Sequence, residues 1–552
     1  MEQIQRSIDA VVRALIPEDV TTVELSRPRP EFGDFSTNVA LTIAKLLKKN
    51  PREIAQRIAD ELQKSGSEWL ESAEVAGPGF INLRLTQPAL LQLLDAEPSK
   101  RHAGKKIVIE TNNPNPFKDI HIGHAMNAIV SDTIANLLEA GGAEVHRVSY
   151  HGDVGLHVAK SMWAIREELE EKPLEKLEAI AVADRPVKLR EWYATGATAY
   201  KDEAFAKQEI EDLVQDSPHY DDPTLQKIYD TCKQWSFDYF DEVFAKLGSK
   251  PVEKRYLESD SSIEGRKVVE AHIGDVFEKS DGAIVFPGEK YDLHTRVFIA
   301  GRGTTLYEAR DLGLMELKDQ DYHPDASYIV TAEEQKEYFR VVLKAASMIS
   351  PQLGSRTINI STGMVKLTTG KMSSRTGDAI NISWLFDTLR QAVLDRGAKD
   401  DAVEQSVLGA VRYWLLKNRL TSDSIFDVEQ SVALEGNTGP YLQYAHARAR
   451  SILRKSKVSA SLDDAELTAD ERALVSRLTE YNEVLHRAIG ELMPHHITTY
   501  LFELCKDFNS FYEHNRVIGD PRENVRIMIV KKYAEVLHAG LQILGIHAPE
   551  KM

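Results

Sequence analysis

The stretch Lys105-Lys106-Ile107-Val108-Ile109-Glu110-Thr111 decides the fold, because it is a short apolar run that ends in polar residues. Residues 123–140 follow with apolar side chains at helical spacing, and residues 144–150 form a second strand-like run. A strand, a helix and a strand in this order predict a parallel β-α-β unit. Such units bind ligands at the carboxyl ends of their strands. We therefore expect a ligand crevice beside Glu110 and Asn115.

The tetrapeptide His121-Ile122-Gly123-His124 opens the predicted helix. Free backbone N–H groups and the positive end of a helix dipole favour anions, and imidazoles add hydrogen-bond donors. Gly123 lets a nucleotide approach closely. A second segment, Lys371-Met372-Ser373-Ser374-Arg375, lies in a Gly- and Ser-bearing loop and offers Lys371 and Ser373 to phosphates. Together the segments predict an ATP site, although either alone is equally well explained by a helix cap or a surface residue.

The pattern along the chain predicts several domains. Strand-like runs at 283–286, 297–300, 328–331 and 357–360 are expected to complete the sheet, and no internal repeat interrupts the order. The predicted parts are an N-terminal α+β domain (1–100), a parallel-sheet domain with the ATP site (101–380) and a charged helical insertion (about 160–264), a helical connecting segment (381–430) and a helical C-terminal domain (431–552).

Composition restricts the cellular compartment in which the protein is expected. Cys232 and Cys505 are the only cysteines in the 552 residues, so the chain has neither a disulfide framework nor a Cys-rich zinc site. The chain begins without a basic segment followed by an apolar one, and it lacks an apolar run long enough to cross a bilayer. We expect a cytoplasmic protein without membrane contact, and we assign no metal-ligating residues.

A formal net charge of −17 argues at first sight against a nucleic-acid partner, because phosphate contacts need Lys and Arg. Local basic patches can override that balance. One candidate set follows a helical pattern, and three further cations lie upstream: Arg448, Arg450, Arg454, Lys455 and Lys457, with Arg412, Lys417 and Arg419. A solvated helix face explains them equally well.

The two phosphate segments resemble the signatures of class I aminoacyl-tRNA synthetases, and further segments resemble those of arginyl-tRNA synthetases across nearly the whole chain. These segments are Gly33-Asp34-Phe35-Ser36-Thr37-Asn38, Gly77-Pro78-Gly79-Phe80-Ile81-Asn82, Glu110-Thr111-Asn112-Asn113-Pro114-Asn115-Pro116, His151-Gly152-Asp153-Val154-Gly155, Tyr307-Glu308-Ala309-Arg310-Asp311, Asn437-Thr438-Gly439-Pro440-Tyr441-Leu442-Gln443-Tyr444-Ala445-His446 and the terminal Gly545-Ile546-His547-Ala548-Pro549-Glu550-Lys551-Met552. Seven matches in order are far more specific than one.

The resemblance implies a Rossmann-type parallel-sheet catalytic domain, an N-terminal domain that contacts the tRNA elbow and an all-α anticodon-binding domain. It implies a ligase that joins L-arginine to the 2′-hydroxyl of the terminal adenosine of arginine tRNA, with ATP and Mg²⁺. It also implies that tRNA binds before arginine is activated. We expect a monomer.

The resemblance also assigns residues to the substrates. His121, His124 and Lys371 would stabilise the transferring phosphate. A guanidinium is planar, permanently charged and rich in donors, so its pocket needs carboxylates. By resemblance Tyr307 and Asp311 hold that end of arginine, whereas Glu110, Asn115 and Gln335 hold the amino-acid end. The match at Gln335 is loose enough that Glu334 is the alternative.

Ser374 departs from the class pattern, which has a second lysine there. In arginyl enzymes a lysine just before the His motif is thought to compensate, and Lys118 occupies that place; Arg375 is the competing candidate.

The C-terminal cations and aromatic residues can grip phosphates and stack anticodon bases. We assign Arg448, Arg454 and Tyr441 to tRNA, ahead of Tyr444, Phe511 and Tyr512, because aromatic residues in helices are more often part of a core.

Two other functions compete with this interpretation. A nucleotidyltransferase could share the His motif and the sheet, but it would have no evident use for the long flanking modules. A non-catalytic tRNA-binding paralogue could lose His121, His124 and Lys371 without penalty, and this chain has all three. A synthetase is therefore favoured.

Overall fold

The computed structural model of the chain describes residues 2–15, 23–214, 218–367, 381–398, 400–461 and 465–552. Within these ranges, a parallel α/β domain lies between a small α+β domain and a helical domain. The fold class predicted from the sequence is confirmed. The predicted phosphate-loop residues Lys371, Ser373, Ser374 and Arg375 lie outside the described ranges.

The N-terminal domain packs helices against an antiparallel sheet of strand order β1-β3-β2. The third helix buries Ile54, Ile58 and Leu62, as expected of an amphipathic helix, and β3 buries alternate residues. The elements are α1 (Glu2–Leu15), β1 (Phe35–Thr37), α2 (Val39–Leu47), α3 (Pro51–Lys64), β2 (Leu70–Ala76), β3 (Phe80–Leu85) and α4 (Gln87–Leu94).

The catalytic domain begins with the predicted β-α-β unit: β4 (Lys106–Glu110), α5 (Ile122–Ala140) and β5 (Glu144–His151). Strand β4 is almost entirely buried, as expected of a parallel strand covered on both faces. The insertion helices follow: α6 (Leu156–Leu169), α7 (Pro173–Glu178), α8 (Arg185–Asp202), α9 (Ala204–Asp212) and α10 (Pro223–Lys246).

The remaining elements of this domain complete the main sheet, form a second sheet of three strands and end in β12, which belongs to neither. They are β6 (Lys254–Leu257), α11 (Glu258–Ala271), β7 (Glu278–Ser280), β8 (Ala283–Phe286), β9 (Arg296–Ile299), α12 (Tyr307–Tyr322), β10 (Ala326–Ala332), α13 (Lys336–Ile349), α14 (Pro351–Arg356), β11 (Thr357–Thr362) and β12 (Val365–Leu367). The main sheet is parallel, in the order β11-β10-β4-β5-β6.

Two sequence-based expectations about the sheet are wrong. The runs at 283–286 and 297–300 do not join the main sheet, because β7, β8 and β9 pair antiparallel in a sheet of their own. Phe277, Phe286 and Phe298 lie in an apolar cluster that also contains Ile329 of β10. Conversely, β6 lies inside the range 160–264 that the sequence predicted to be helical, and it forms an edge of the main sheet. The runs at 328–331 and 357–360 do join, within β10 and β11.

The C-terminal region is helical apart from β13, which pairs with β12. Its elements are α15 (Ile382–Asp395), α16 (Asp400–Leu416), β13 (Ser424–Phe426), α17 (Val428–Ser431), α18 (Gly439–Lys455), α19 (Ala469–Thr479), α20 (Tyr481–Glu491), α21 (His495–His514) and α22 (Glu523–Ile543). Arg412 on α16 is 0% exposed and therefore cannot be the RNA-facing cation that the sequence suggested. It bonds Asp132 of α5 at 2.8 Å and two backbone carbonyls instead.

Candidate active site

The two histidines of the first motif cap the helix that carries them. The Gly123 N–H donates to His121 Nδ1 at 3.1 Å, and the His121 N–H donates to His124 Nδ1 at 3.3 Å. These bonds satisfy backbone donors that a helix start otherwise leaves unpaired. The imidazole rings stack with their centroids 3.8 Å apart.

This capping determines which ring nitrogens remain available. Because both Nδ1 atoms accept hydrogen bonds, a neutral ring carries its hydrogen on Nε2. Burial lowers the pKa of His124 to about 3, with His121 and Lys118 adding to the effect, and burial also lowers the pKa of His121. Both rings are therefore neutral at physiological pH and present Nε2–H donors that suit phosphate oxygens.

Lys118 lies close to this pair. Burial lowers the pKa of its ammonium, and the charge of Lys160 lowers it further. The charge of Lys118 in turn contributes to the lowered pKa values of His121, His124 and His157. Lys118, three residues before His121, thus brings a cation close to the start of helix α5.

Acidic side chains gather at the carboxyl ends of β4 and β6 and at the start of α12. Glu110 is buried and accepts from Lys318 Nζ at 2.5 Å and from Asn113 Nδ2 at 2.9 Å. Asp311 accepts from the Tyr338 hydroxyl at 2.6 Å. Burial raises the pKa of Asp311 to about 7, and the charges of Glu110 and Glu258 also raise it. These carboxylates therefore lie close enough together for their charges to interact, and we call this cluster the acidic pocket.

Glu258 belongs to this cluster, and sequence reasoning missed it. Its carboxylate forms a close ion pair with Arg310, and a Cβ at Gly152 would lie 2.7 Å from its Oε2. The same Cβ would lie 3.0 Å from Asn115 Oδ1, which accepts the Gly152 N–H at 2.9 Å. The sequence offered one signal, the strand-like run at 254–257. It ends at the residue before Glu258, so this carboxylate lies at a strand end, as Glu110 lies at the end of β4.

The other predicted arginine contacts lie at the edge of the pocket. Tyr307, the first residue of α12, is 70% exposed, and the guanidinium carbon of Arg310 lies 5.7 Å from its ring centroid. Gln335 and Glu334 are both exposed on a turn of 3₁₀ helix that follows β10. Glu110 is thus buried, Asn115 and Asp311 are half-buried, and Tyr307 and Gln335 are exposed at the rim.

The predicted tRNA contacts lie on α18. Arg448 stacks over the Tyr512 ring at 4.7 Å, and the Tyr441 hydroxyl accepts from Asn509 at 2.8 Å. Arg454 pairs with Glu550 at 3.3 Å, as Arg450 does at 2.8 Å, so their charges are partly compensated. Phe511 is buried in the helical core.

Family models match this chain along most of its length. The model for the class I (R) tRNA synthetase catalytic domain matches residues 87–428, the arginyl-tRNA synthetase N-terminal domain matches residues 2–85, and the DALR anticodon-binding domain matches residues 442–552. The chain belongs to the arginyl-tRNA synthetase family. The synthetase therefore uses ATP, L-arginine and tRNA as substrates, and the two competing functions are not favoured.

Relatives and solved structures resemble the synthetase over its full length. An arginine–tRNA ligase of Bacteroides fragilis is 27% identical over 100% of this chain and 99% of the relative, and one of Bacteroides thetaiotaomicron is 28% identical over 97% and 96%. The Thermus thermophilus arginyl-tRNA synthetase shares the fold with a TM-score of 0.81 at 22% identity, covering 100% of both chains. In the described part of the synthetase, no helix has the length and apolarity to cross a bilayer.

Proposed function

We propose that the guanidinium of L-arginine binds between Asp311, Glu258 and Tyr307. The supporting observation is the charge state of the pocket. In the described part of the chain, Glu110 has Lys318 and Glu258 has Arg310 as cationic partner, whereas the bond to Asp311 comes from a neutral hydroxyl. A half-buried carboxylate whose hydrogen bond comes from a neutral hydroxyl favours binding of a positively charged ligand with fixed donors.

The amino-acid end of arginine would then lie against Asn115, Glu110 and Gln335. Asn115 is held by the Gly152 N–H and presents its amide nitrogen, and Glu110 is fixed by two hydrogen bonds. Gln335 or Glu334 would close the rim after arginine enters. This orientation directs the arginine carboxylate toward the start of α5, where the phosphates bind.

In the first step, the arginine carboxylate attacks the α-phosphorus of ATP, and pyrophosphate leaves. The Nε2–H groups of His121 and His124 would donate to phosphate oxygens as negative charge increases, and Gly123 leaves room for the nucleotide. Lys371 and Ser373 would bind the β- and γ-phosphates. Mg²⁺ bound to the triphosphate would supply further positive charge there, beside Lys371 and Ser373.

Lys118 takes the role of the lysine that Ser374 replaces in the second signature. The support is its position: its charge acts on His121 and His124. If Lys118→Ala leaves the adenylation rate unchanged, Arg375 takes the role instead.

In the second step, the 2′-hydroxyl of the terminal adenosine attacks the adenylate carbonyl, and AMP leaves. The C-terminal domain would bind the anticodon arm through Arg448, Arg454 and Tyr441, and the N-terminal domain would contact the tRNA elbow. The two domains contact each other within one chain, through Arg27–Glu483 and Asp34–Arg472 pairs at 2.6 Å. A monomer acting in the cytoplasm can therefore present both surfaces to one tRNA.

The decisive experiment is aminoacylation of total tRNA with each labelled amino acid in turn. We expect arginine alone to be attached by the wild type, and Asp311→Ala to lose charging while its melting temperature is retained. Asp319→Ala is the matched control, because Asp319 lies on the same helix but pairs with Arg356. Equal loss in both variants, or charging by Asp311→Ala at the wild-type rate, would refute the assigned pocket.

The dependence of activation on tRNA is tested by exchange of labelled pyrophosphate into ATP. We expect exchange only when uncharged tRNA is present. Exchange at the full rate without tRNA would contradict this coupling, while leaving the pocket assignment intact.

A further inference from the structure

The residue before Lys118 has an unusual backbone conformation. Phe117 is fully buried and has a φ of +64°, in the left-handed region that bulky side chains rarely adopt. Such a conformation persists only where surrounding contacts determine it, and it is typical of functional sites. The contacts that hold Phe117 therefore indicate the function of this turn.

These contacts all come from the helical insertion. The Phe117 N–H donates to the Ser236 hydroxyl of α10 at 3.1 Å, and the Ser161 hydroxyl of α6 donates to the Phe117 carbonyl at 3.5 Å. The Phe117 ring stacks with Tyr229 of α10 at 5.8 Å and belongs to the apolar cluster of the insertion rather than to the core around the main sheet. The insertion thus fixes the direction in which the chain leaves Phe117.

The next two residues are held by the same insertion. The Lys118 ammonium lies 5.4 Å from the ring centroid of Tyr193 on α8. Asp119 lies 3.5 Å from Arg190 of α8, accepts the Ile120 N–H at 2.9 Å and accepts from the Asn381 side chain in a close contact. Consequently α8 contacts Lys118 and Asp119, which lie three and two residues before His121.

Helix α8 is itself seated closely on α6. Gly196 packs on the Lys160 carbonyl so closely that an added Cβ would clash with it. The distance between α8 and the turn is therefore set by a glycine contact between two insertion helices.

We propose that Phe117 and Tyr193 are positioning residues for adenylation: the insertion holds the turn before the His motif so that the Lys118 ammonium stands over the Tyr193 ring and beside His121 and His124. This inference rests on the proposed role of Lys118. A ring face stabilises an ammonium without neutralising it, unlike a carboxylate, so the cation remains free to bind phosphate. The role of the insertion in this reaction is thus to position the Lys118 ammonium.

The test is a double-mutant cycle read by pyrophosphate exchange in the presence of tRNA. Tyr193→Leu removes the ring face, and we expect it to lower kcat about fivefold with an unchanged KM for arginine, the scale of one cation–π contact. Tyr193→Phe keeps the ring face and should retain the wild-type rate. In the Lys118→Ala background, Tyr193→Leu should have no further effect, because no cation remains to be positioned.

Tyr200→Leu is the matched control. Tyr200 lies on the same helix and also faces lysines, with Lys160 at 4.5 Å and Lys207 at 5.6 Å, but not Lys118. We expect it to retain the wild-type kcat. If Tyr193→Leu fails to fold by thermal melting, Ser236→Ala is measured in the same cycle, because it removes the acceptor of the Phe117 N–H.

The outcomes separate the inference from its premise. A loss of rate in Lys118→Ala together with a wild-type kcat in Tyr193→Leu would overturn the inference and leave the role of Lys118 standing. A wild-type rate in Lys118→Ala would refute that role, and the inference with it. Equal losses in Tyr193→Leu and Tyr193→Phe would assign the effect to the hydroxyl and would also overturn the inference.

Discussion

At the scale of single residues, the raised pKa of Asp311 predicts that arginine binding, which we assign to this carboxylate, depends on pH. Burial raises this pKa to about 7, so the free enzyme loses the carboxylate as pH falls below 7. We expect kcat/KM for arginine to fall about tenfold per pH unit below that value, and Asp311→Asn to lower it throughout and remove the dependence. Steady-state kinetics between pH 5.5 and 8.5 measure both effects.

The control for this profile is the KM for ATP at saturating arginine. A bound guanidinium keeps Asp311 ionised, and His124, with a pKa of about 3, does not titrate in this range. The KM for ATP should therefore show no change with pH that arises from Asp311. An arginine profile that is flat between pH 6 and 8 would contradict the assignment.

A second prediction at this scale separates the two functions of His121. Its Nδ1 caps α5, while its Nε2 is free to donate. Asparagine is a good cap but has no equivalent donor, so His121→Asn should keep the melting temperature and lower kcat for adenylation about 100-fold. His121→Ala loses the cap as well and should be destabilised by about 1 kcal/mol relative to His121→Asn. Equal stability of the two variants would contradict the capping role.

At the scale of elements, the close contact between α6 and α8 makes the structure sensitive to substitution at Gly196. Gly196→Ala adds a Cβ that clashes with the Lys160 carbonyl. Backbone cannot yield as a flexible side chain can, so α8 must move, and we expect a loss of about 1–3 kcal/mol in stability together with slower pyrophosphate exchange. Gly490→Ala in α20 is the matched control, because an added Cβ meets no described atom within 4 Å. It should be neutral or slightly stabilising.

At the scale of the whole molecule, Arg412 joins three parts of the chain. It bonds Asp132 on the helix of the His motif, the Leu247 carbonyl at the end of the insertion at 2.7 Å and the Leu544 carbonyl of the C-terminal domain at 2.6 Å. Removing one member of a buried ion pair leaves an uncompensated charge, so Arg412→Met should lower the free energy of unfolding by about 3–5 kcal/mol. Urea titration measures this loss.

The companion variant is Asp132→Asn. The double variant Asp132→Asn/Arg412→Met should lose less stability than the sum of the single losses, because neither member of this ion pair then remains charged without the other. Arg356→Met, which breaks the exposed pair with Asp319, should cost less than about 1 kcal/mol. Strictly additive losses at 132 and 412 would show that the buried pair does not couple these parts.

Local patterns were sufficient for the β-α-β unit and the helical C-terminal domain, because strand and helix periodicities are properties of adjacent residues. They failed for 283–286 and 297–300, since a strand-like pattern does not specify its partner. They also failed for Arg412, which the charge pattern predicted to lie at the surface. Arg412 is buried because it pairs with Asp132, which is 280 residues away in the chain. Glu258 was missed because its neighbours suggested a charged helix face.

The sequence by itself determined the family, the parallel sheet, the signature residues and the cationic nature of the substrate, because each is carried by residues close together in the chain. Only the tertiary structure decided which carboxylate is bonded by a neutral hydroxyl, how Glu258 joins the pocket and why Phe117 adopts a left-handed conformation. Each of these depends on contacts between distant segments, such as Arg310 with Glu258 or Ser236 with Phe117. Such contacts exist only after the elements have packed, and the contact of the Lys118 ammonium with the Tyr193 ring is one of them.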